Sequence, residues 1–212
     1  MKAIFAVSFF GIMMYASAQV PVKCQEQPPM AKFRSSDFFT GARFVTHAKN
    51  GPDSAVCRVY QTSENKNNII FNGDGYYGEK DAERYYQVRC TGKKNSGKNG
   101  KYSLSCTKQK PNVPGTPNEK QITFNLDLTI LDTDYAQYAI VYRCATYSTL
   151  GVTKDNLLVL HRAKDAIKAN IASIFRGVTR RSISGFLSRQ NAKCKSSNNN
   201  SDFDSAIEQL SF

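Results

Sequence analysis

The stretch QITFNLDLTIL, residues 121–131, alternates with a period of two. Ile122, Phe124, Leu126, Leu128 and Ile130 fall on one face, and Thr123, Asn125, Asp127 and Thr129 fall on the other. A helix would scatter both sets around its axis, so the pattern predicts a strand with one buried and one wet face. Seven further runs share its β-branched and aromatic character: RFVTHA, AVCRVYQT, NIIFNGDGYYG, RYYQVRC, KYSLSC, YAIVYRC and NLLVLHR. Clusters of Gly, Asn, Pro, Lys and Ser separate them. The longest, TGKKNSGKNGK (91–101) and TKQKPNVPGTPNEK (107–120), read as turns within one domain. Eight successive strands with no helix between them predict an all-β fold, an eight-stranded antiparallel up-and-down barrel, because closure is the usual way to hide the edges of a meander. Such a barrel is either filled by its own side chains or holds one small ligand.

The period changes after the last strand. Ile167, Ile171, Ile174 and Phe175 recur at helical spacing, with Asp165 near the start and Gly177 past the end. That predicts a C-terminal helix packed outside the barrel by one apolar stripe. RRSISGFLSR (180–189) is assigned a short turn or helix. At the other end, Lys2 precedes the apolar run AIFAVSFFGIMMYA and then Ala16-Ser17-Ala18. These features predict a signal peptide over 1–18, cut after Ala18, too short for a membrane span. The folded domain is expected over 19–195. The tail, 196–212, is polar and expected to be disordered, and it carries the chain's N-x-S/T sequon at Asn199, a candidate glycosylation site.

Export decides how to read the six cysteines. In an oxidising compartment an even number implies disulfides. No two stand in C-x-x-C spacing and only His47 and His161 could assist them, so no metal site is expected. Cys90 and Cys106 flank a Gly/Lys/Asn-rich turn, which lets them face each other across a hairpin. The net charge is +12, about +11 once Lys2 leaves with the signal. Such a surface attracts anions. The charges are dispersed and no nucleic-acid motif accompanies them, so no nucleic-acid partner is expected.

Signal peptide, eight strands, one helix and a cysteine-bearing tail resemble a lipocalin, a member of the calycin superfamily. TGARFVTH is similar to the family's Gly-x-Trp motif, with Gly41 matching and Arg43 in place of the aromatic. DTDYAQYAIVY carries the second motif at Thr133, Asp134 and Tyr135, and LVLHRAKD the third at Arg162. FFTGARFVTHAKNG, VCRVYQTS, DGYYGEK, DTDYAQYAIVYRC and NLLVLHRAKD further resemble the salivary lipocalins of blood-feeding bugs, the triabin, pallidipin and triafestin group. That resemblance spans nearly all of residues 24–194. It implies the pairs Cys24–Cys144, Cys57–Cys194 and Cys90–Cys106, secretion into saliva as a monomer, and interference with host haemostasis by sequestering a small hydrophobic or anionic mediator such as thromboxane, which would inhibit platelet aggregation. A second reading is a protein inhibitor that meets an acidic surface on a clotting or contact-phase factor, steered by Lys93, Lys94, Lys98 and Lys101. A third is biogenic-amine binding, disfavoured because few acids fall on the inward faces and Asp127 lies opposite the apolar stripe.

If Cys144 and Cys57 point outward to reach their partners, alternation turns Val141 and Arg143, and Val56, Arg58 and Tyr60, the other way. Arg58, Tyr60, Arg143 and Val141 are therefore candidate ligand residues, and His47 joins them because it alternates with Val45 and Arg43; barrel-rim positions are the rival reading for the arginines and a satisfied core position for His47. His161 is expected at the surface or rim. Arg43 poses a cost. In the family pattern it would meet Arg162 with no ring between two cations, so an acid or carbonyl must satisfy it, or solvent, or a ligand anion. No Gly-x-Ser-x-Gly, His-Glu-x-x-His or P-loop is present, and no enzymatic activity is expected. Haem-binding relatives use a histidine on the fourth strand. RYYQVRC has none, so no haem or other cofactor is expected.

Overall fold

The computed structural model describes residues 23–78, 83–94, 100–110, 121–165 and 167–195. The expected signal peptide, the whole tail with Asn199, and Lys98 lie outside them. After a one-turn helix α1 (Ser35–Phe38) come β1 (Thr40–Ala48), β2 (Val59–Glu64), β3 (Asn68–Tyr77), β4 (Arg84–Lys93), β5 (Lys101–Gln109), β6 (Ile122–Thr133), β7 (Tyr138–Tyr147) and β8 (Val152–His161), all antiparallel. Strand β1 closes the barrel by pairing twice. Thr40–Phe44 run against β2, and Phe44–Ala48 run against β8. A ninth strand, β9 (Leu187–Ser188), adds to the far end of β1 where a turn or helix was expected.

Two cores follow from the period-2 alternation. Phe124, Leu126, Leu128 and Ile130 of β6 point inward with Val45, Phe71, Leu104, Val141 and Leu160. Outside the wall of β6–β8, Leu131, Ile140, Tyr142, Leu157 and Val159 meet helix α2 (Ile171–Thr179) through Ile171 and Phe175. The helix begins four residues later than Ile167 and contains Gly177 instead of ending before it. Its last turn closes on Arg180 in the left-handed conformation, φ 60°. The three disulfides join Cys24 to Cys144, Cys57 to Cys194 and Cys90 to Cys106. Cys57 lies in a 3-10 turn, Asp53–Cys57, so the second strand begins only at Val59. Cys90 and Cys106 are direct cross-strand partners whose sulfurs face the barrel interior.

A one-residue bulge interrupts β1. Val45 pairs with Leu160 but His47 pairs with Val159, so Thr46 is extra and the side-chain parity flips. Ala48 then takes the inward position, and His47 turns to the outer face beside Ser188 of β9. This corrects the expectation that His47 lies on the cavity face with Arg43 and Val45. His161 corrects a second one. It is wholly buried on the outer side, its Nδ1 2.7 Å from Thr46 Oγ1, while its Nε2 accepts the Lys168 N–H at 3.2 Å.

That burial has a pH consequence. Desolvation first, with the nearby His47 and Lys168 adding to it and Asp134 opposing, pushes the His161 imidazole down to about 4. The unfolded chain takes up this proton near its ordinary value, so stability is complete above that value and falls as the pH drops towards the folded one. Between pH 7 and pH 5 this single group should remove about 2 kcal/mol. Urea melts at the two pH values should show His161→Gln losing about 2 kcal/mol less than the native chain over the interval. Equal losses would acquit His161.

Candidate functional site

The closed end of the barrel is built from the three sequence motifs. Gly41 adopts φ 61°, a conformation side chains resist, and a Cβ there would come within 3.6 Å of Arg162 Nη1. Arg162 donates to the carbonyls of Thr40 and Ala42 on one side and to Tyr135 O, at 3.3 Å, on the other. Asp134 caps the β6–β7 turn by accepting the N–H groups of Gln137 and Tyr138 at 2.8 and 3.0 Å. Its other oxygen takes Lys168 Nζ at 2.8 Å, and Thr133 Oγ1 accepts the Tyr135 N–H at 2.9 Å.

Arg43 sits inside this floor with no exposed surface. One guanidinium nitrogen donates to Phe38 O at 3.0 Å, and the guanidinium carbon lies 4.2 Å from the centre of the Phe38 ring. The aromatic missing from β1 is thus supplied by α1. A carbonyl satisfies Arg43 only in part, since Nε and Nη1 are buried without a hydrogen-bond partner. Burial, then the Arg162 charge, lower its pKa to about 9 against the opposing pull of Asp134.

A cavity of about 450 Å³ opens at the other end. Phe71, Val88, Phe124, Leu126 and Ala145 form its apolar walls. Arg58, Lys108 and Arg143 bring cations into it, and Tyr60, Tyr77 and Tyr147 bring phenols. Tyr60 stacks on Phe71 with centroids 4.4 Å apart, and Gly73 makes room, since a Cβ there would fall 2.8 Å from the Tyr60 ring. Arg58 is buried, lies 4.0 Å over the Tyr77 ring and donates to Tyr76 O at 3.4 Å. Arg143 Nε is buried with no hydrogen-bond partner. Among the described residues the lining holds one acid, Asp155, which accepts the Tyr142 hydroxyl at 3.1 Å, on the outer side of the wall. Desolvation raises the Tyr77 phenol and lowers the Arg58 guanidinium. The result is an oily pocket with positive charge incompletely satisfied by the protein.

Of the sequence candidates, Arg58, Tyr60 and Arg143 line this cavity. Val141 lies in the sealed core, and His47 is on the outer wall. Sequence reasoning missed Lys108, Tyr77 and Tyr147. Lys108 was legible in principle, because it shares parity with Cys106, but only once that sulfur was known to face inward. A second concavity, about 620 Å³, runs across β3–β6 and is lined largely by Thr, Ser and Asn. Its arginine, Arg89, is already ion-paired to Asp74, which leaves little to attract a ligand.

A family model described as Triabin matches residues 16–173. Triafestin-1 of Triatoma infestans is 42% identical over 171 residues, covering 79% of this chain and 81% of its own. Among solved structures, the tryptamine complex of the amine-binding protein of Rhodnius prolixus superposes with a TM-score of 0.64 at 19% identity, covering 88% of this chain and 94% of that one. LTBP1 in its LTC4 complex gives 0.55 at 25% identity, covering 84% and 98%.

The barrel floor yields a prediction. Replacing a buried cation with an apolar side chain of similar length removes the desolvation cost and sacrifices one hydrogen bond. Arg43→Met should therefore raise stability by about 1–2 kcal/mol in chemical denaturation at neutral pH. A loss of stability would mean that the Phe38 ring and carbonyl outweigh burial of the charge.

Proposed function

Because the chain belongs to the triabin family of lipocalin-like barrels, we propose that it is a secreted, non-enzymatic protein of saliva that sequesters an anionic lipid mediator of the eicosanoid class, and so interferes with host haemostasis. The carrying observation is the pairing of Arg58 and Arg143 with the apolar walls of one cavity. A fatty acid has one carboxylate and a long apolar chain. The guanidinium heads would hold the first by charge-assisted hydrogen bonds, and Phe71, Val88, Phe124 and Leu126 would cover the second. The complex of the 25%-identical LTBP1 with leukotriene C4 supports the same ligand class.

A biogenic amine fits less well. Its ammonium would enter beside four cations, Arg58, Lys108, Arg143 and Lys154, while the lining carboxylate of Asp155 is engaged by Tyr142. Protein inhibition loses part of its basis too. Lys94 is 2.5 Å from Glu64 and Lys101 is 2.7 Å from Glu26, so two of the lysines invoked for steering are already paired.

Titration calorimetry with arachidonate, a thromboxane analogue and a leukotriene tests the reading. Arg58→Gln and Arg143→Gln should each weaken carboxylate binding about tenfold to a hundredfold, since a hydrogen bond to a charged group contributes about 1.5–3 kcal/mol. The methyl ester of arachidonate should bind the native protein more weakly by a similar factor. Absence of heat with all three acids, together with prolonged clotting times, would transfer the function to the protein surface.

A further inference from the structure

Lys108 is the cation of the cavity whose chemistry goes beyond holding charge. It shares the inward face of β5 with Leu104 and Cys106. Its Nζ lies 4.0 Å from the centre of the Tyr86 ring and 4.7 Å from that of Tyr77, two rings 6.2 Å apart and nearly perpendicular. The charges that act on it most are Arg58 and Lys154, both cationic.

We propose that Lys108 captures lipid-derived aldehydes covalently, as an imine, at the mouth of the barrel. The proposal rests on the preceding reading only in requiring that an amphipathic guest can enter the cavity.

The surroundings enlarge the minor share of neutral amine. Burial first, then Arg58 and Lys154, lower the Lys108 ammonium from 10.5 to about 8. At neutral pH this increases the share of neutral amine by roughly a few hundredfold over a solvated lysine. The neutral Nζ adds its lone pair to the carbonyl carbon, forming the C–N bond as the C=O π bond breaks, and one amine proton passes to the oxygen. The resulting carbinolamine loses its hydroxyl together with the remaining N–H hydrogen as water, leaving C=N. No oxidant or reductant is consumed. Protonation of the imine restores a cation at the nitrogen, where the faces of Tyr77 and Tyr86 already accommodate one. The acyl chain would lie against Phe71, Val88, Phe124 and Leu126. Desolvation beside other cations is a known route to an activated amine nucleophile.

The experiment uses the oxidised, full-length secreted protein. It is incubated with nonanal and sodium cyanoborohydride, which traps the imine as a secondary amine, and then digested for peptide mass mapping. Lys108 should acquire one nonyl group about tenfold or more faster than any other lysine, consistent with a selectively activated amine. Saturating arachidonate should suppress that label, and Lys108→Arg should abolish it while folding with all three disulfides. Labelling spread evenly over the lysines, or a Lys108 rate equal to that of exposed lysines, overturns the proposal. Calorimetric binding of arachidonate to the unmodified protein is read in parallel. Arachidonate binding without selective labelling removes the covalent step alone, whereas selective labelling without arachidonate binding removes the fatty-acid mediator and keeps Lys108 as the site.

Discussion

The shared strand β1 is the constraint on which the rest depends. To close eight strands it must leave β2 and join β8 within nine residues, and the turn of direction is made by one inserted residue, Thr46. The insertion has consequences at both faces. Inside, it brings Ala48, not His47, into the core. Outside, it brings the Thr46 hydroxyl to the His161 ring, which then accepts a backbone N–H from the segment leading into α2. Closure of the barrel and attachment of the C-terminal helix are thus coupled through one bulge. A second bulge at Leu131 does the same for β6, because beyond it Asp132 pairs with the outward Ile140 and Thr133 with the inward Ala139, which reverses the parity set by Phe124 to Ile130.

These bulges also explain what was legible in the sequence. The stripe from Phe124 to Ile130 was visible because hydrophobic period and pleat agree over several turns of the chain, and a slip of one residue would reverse every side chain. Arg143 could be placed from the outward Cys144 by the same parity, whereas Cys57 lies in a 3-10 turn, so Arg58 and Tyr60 face inward without the pleat reaching back to that cysteine. An inserted residue carries no mark of its own. Thr46 reads as one more member of RFVTHA, so parity counted from Arg43 ran past it and placed His47 inside. The helix shows a related limit. Ile167 fits the 3.6-residue spacing, but the chain between His161 and Ile171 is occupied in covering the imidazole, and helical bonding starts afterwards.

The cysteines were less legible than the strands. The pairings of Cys24 and Cys57 came from family likeness and not from spacing. Their partners lie 120 and 137 residues away, and only the closed barrel brings them to 5.7 and 5.3 Å between Cα atoms. The two long-range bridges then fasten the amino-terminal segment and the tail to the outside, which leaves the mouth of the cavity to the loops between strands. Their chain-entropy contribution of about 3–5 kcal/mol each comes from restricting the unfolded chain.

Opposite ends of the barrel treat buried positive charge differently, and the contrast bears on function. At the floor, Arg162 is spent on the carbonyls of Thr40, Ala42 and Tyr135, while Arg43 has a carbonyl and the Phe38 ring. Those cations tie chain segments together, and neither lines the cavity at the open end. At the mouth, Arg58 and Lys108 lean on aromatic faces, and Arg143 keeps a buried nitrogen without a partner. Ring faces stabilise a cation without using its hydrogen-bond donors. The donors therefore remain available inside an apolar enclosure, where an incoming anion interacts more strongly than it would in water. A fold stabilised only for its own sake would fill this space with hydrocarbon. Retaining these cations there exacts a desolvation cost that a bound anion would offset, and this asymmetry between floor and mouth is the physical basis for reading the open end as the ligand site.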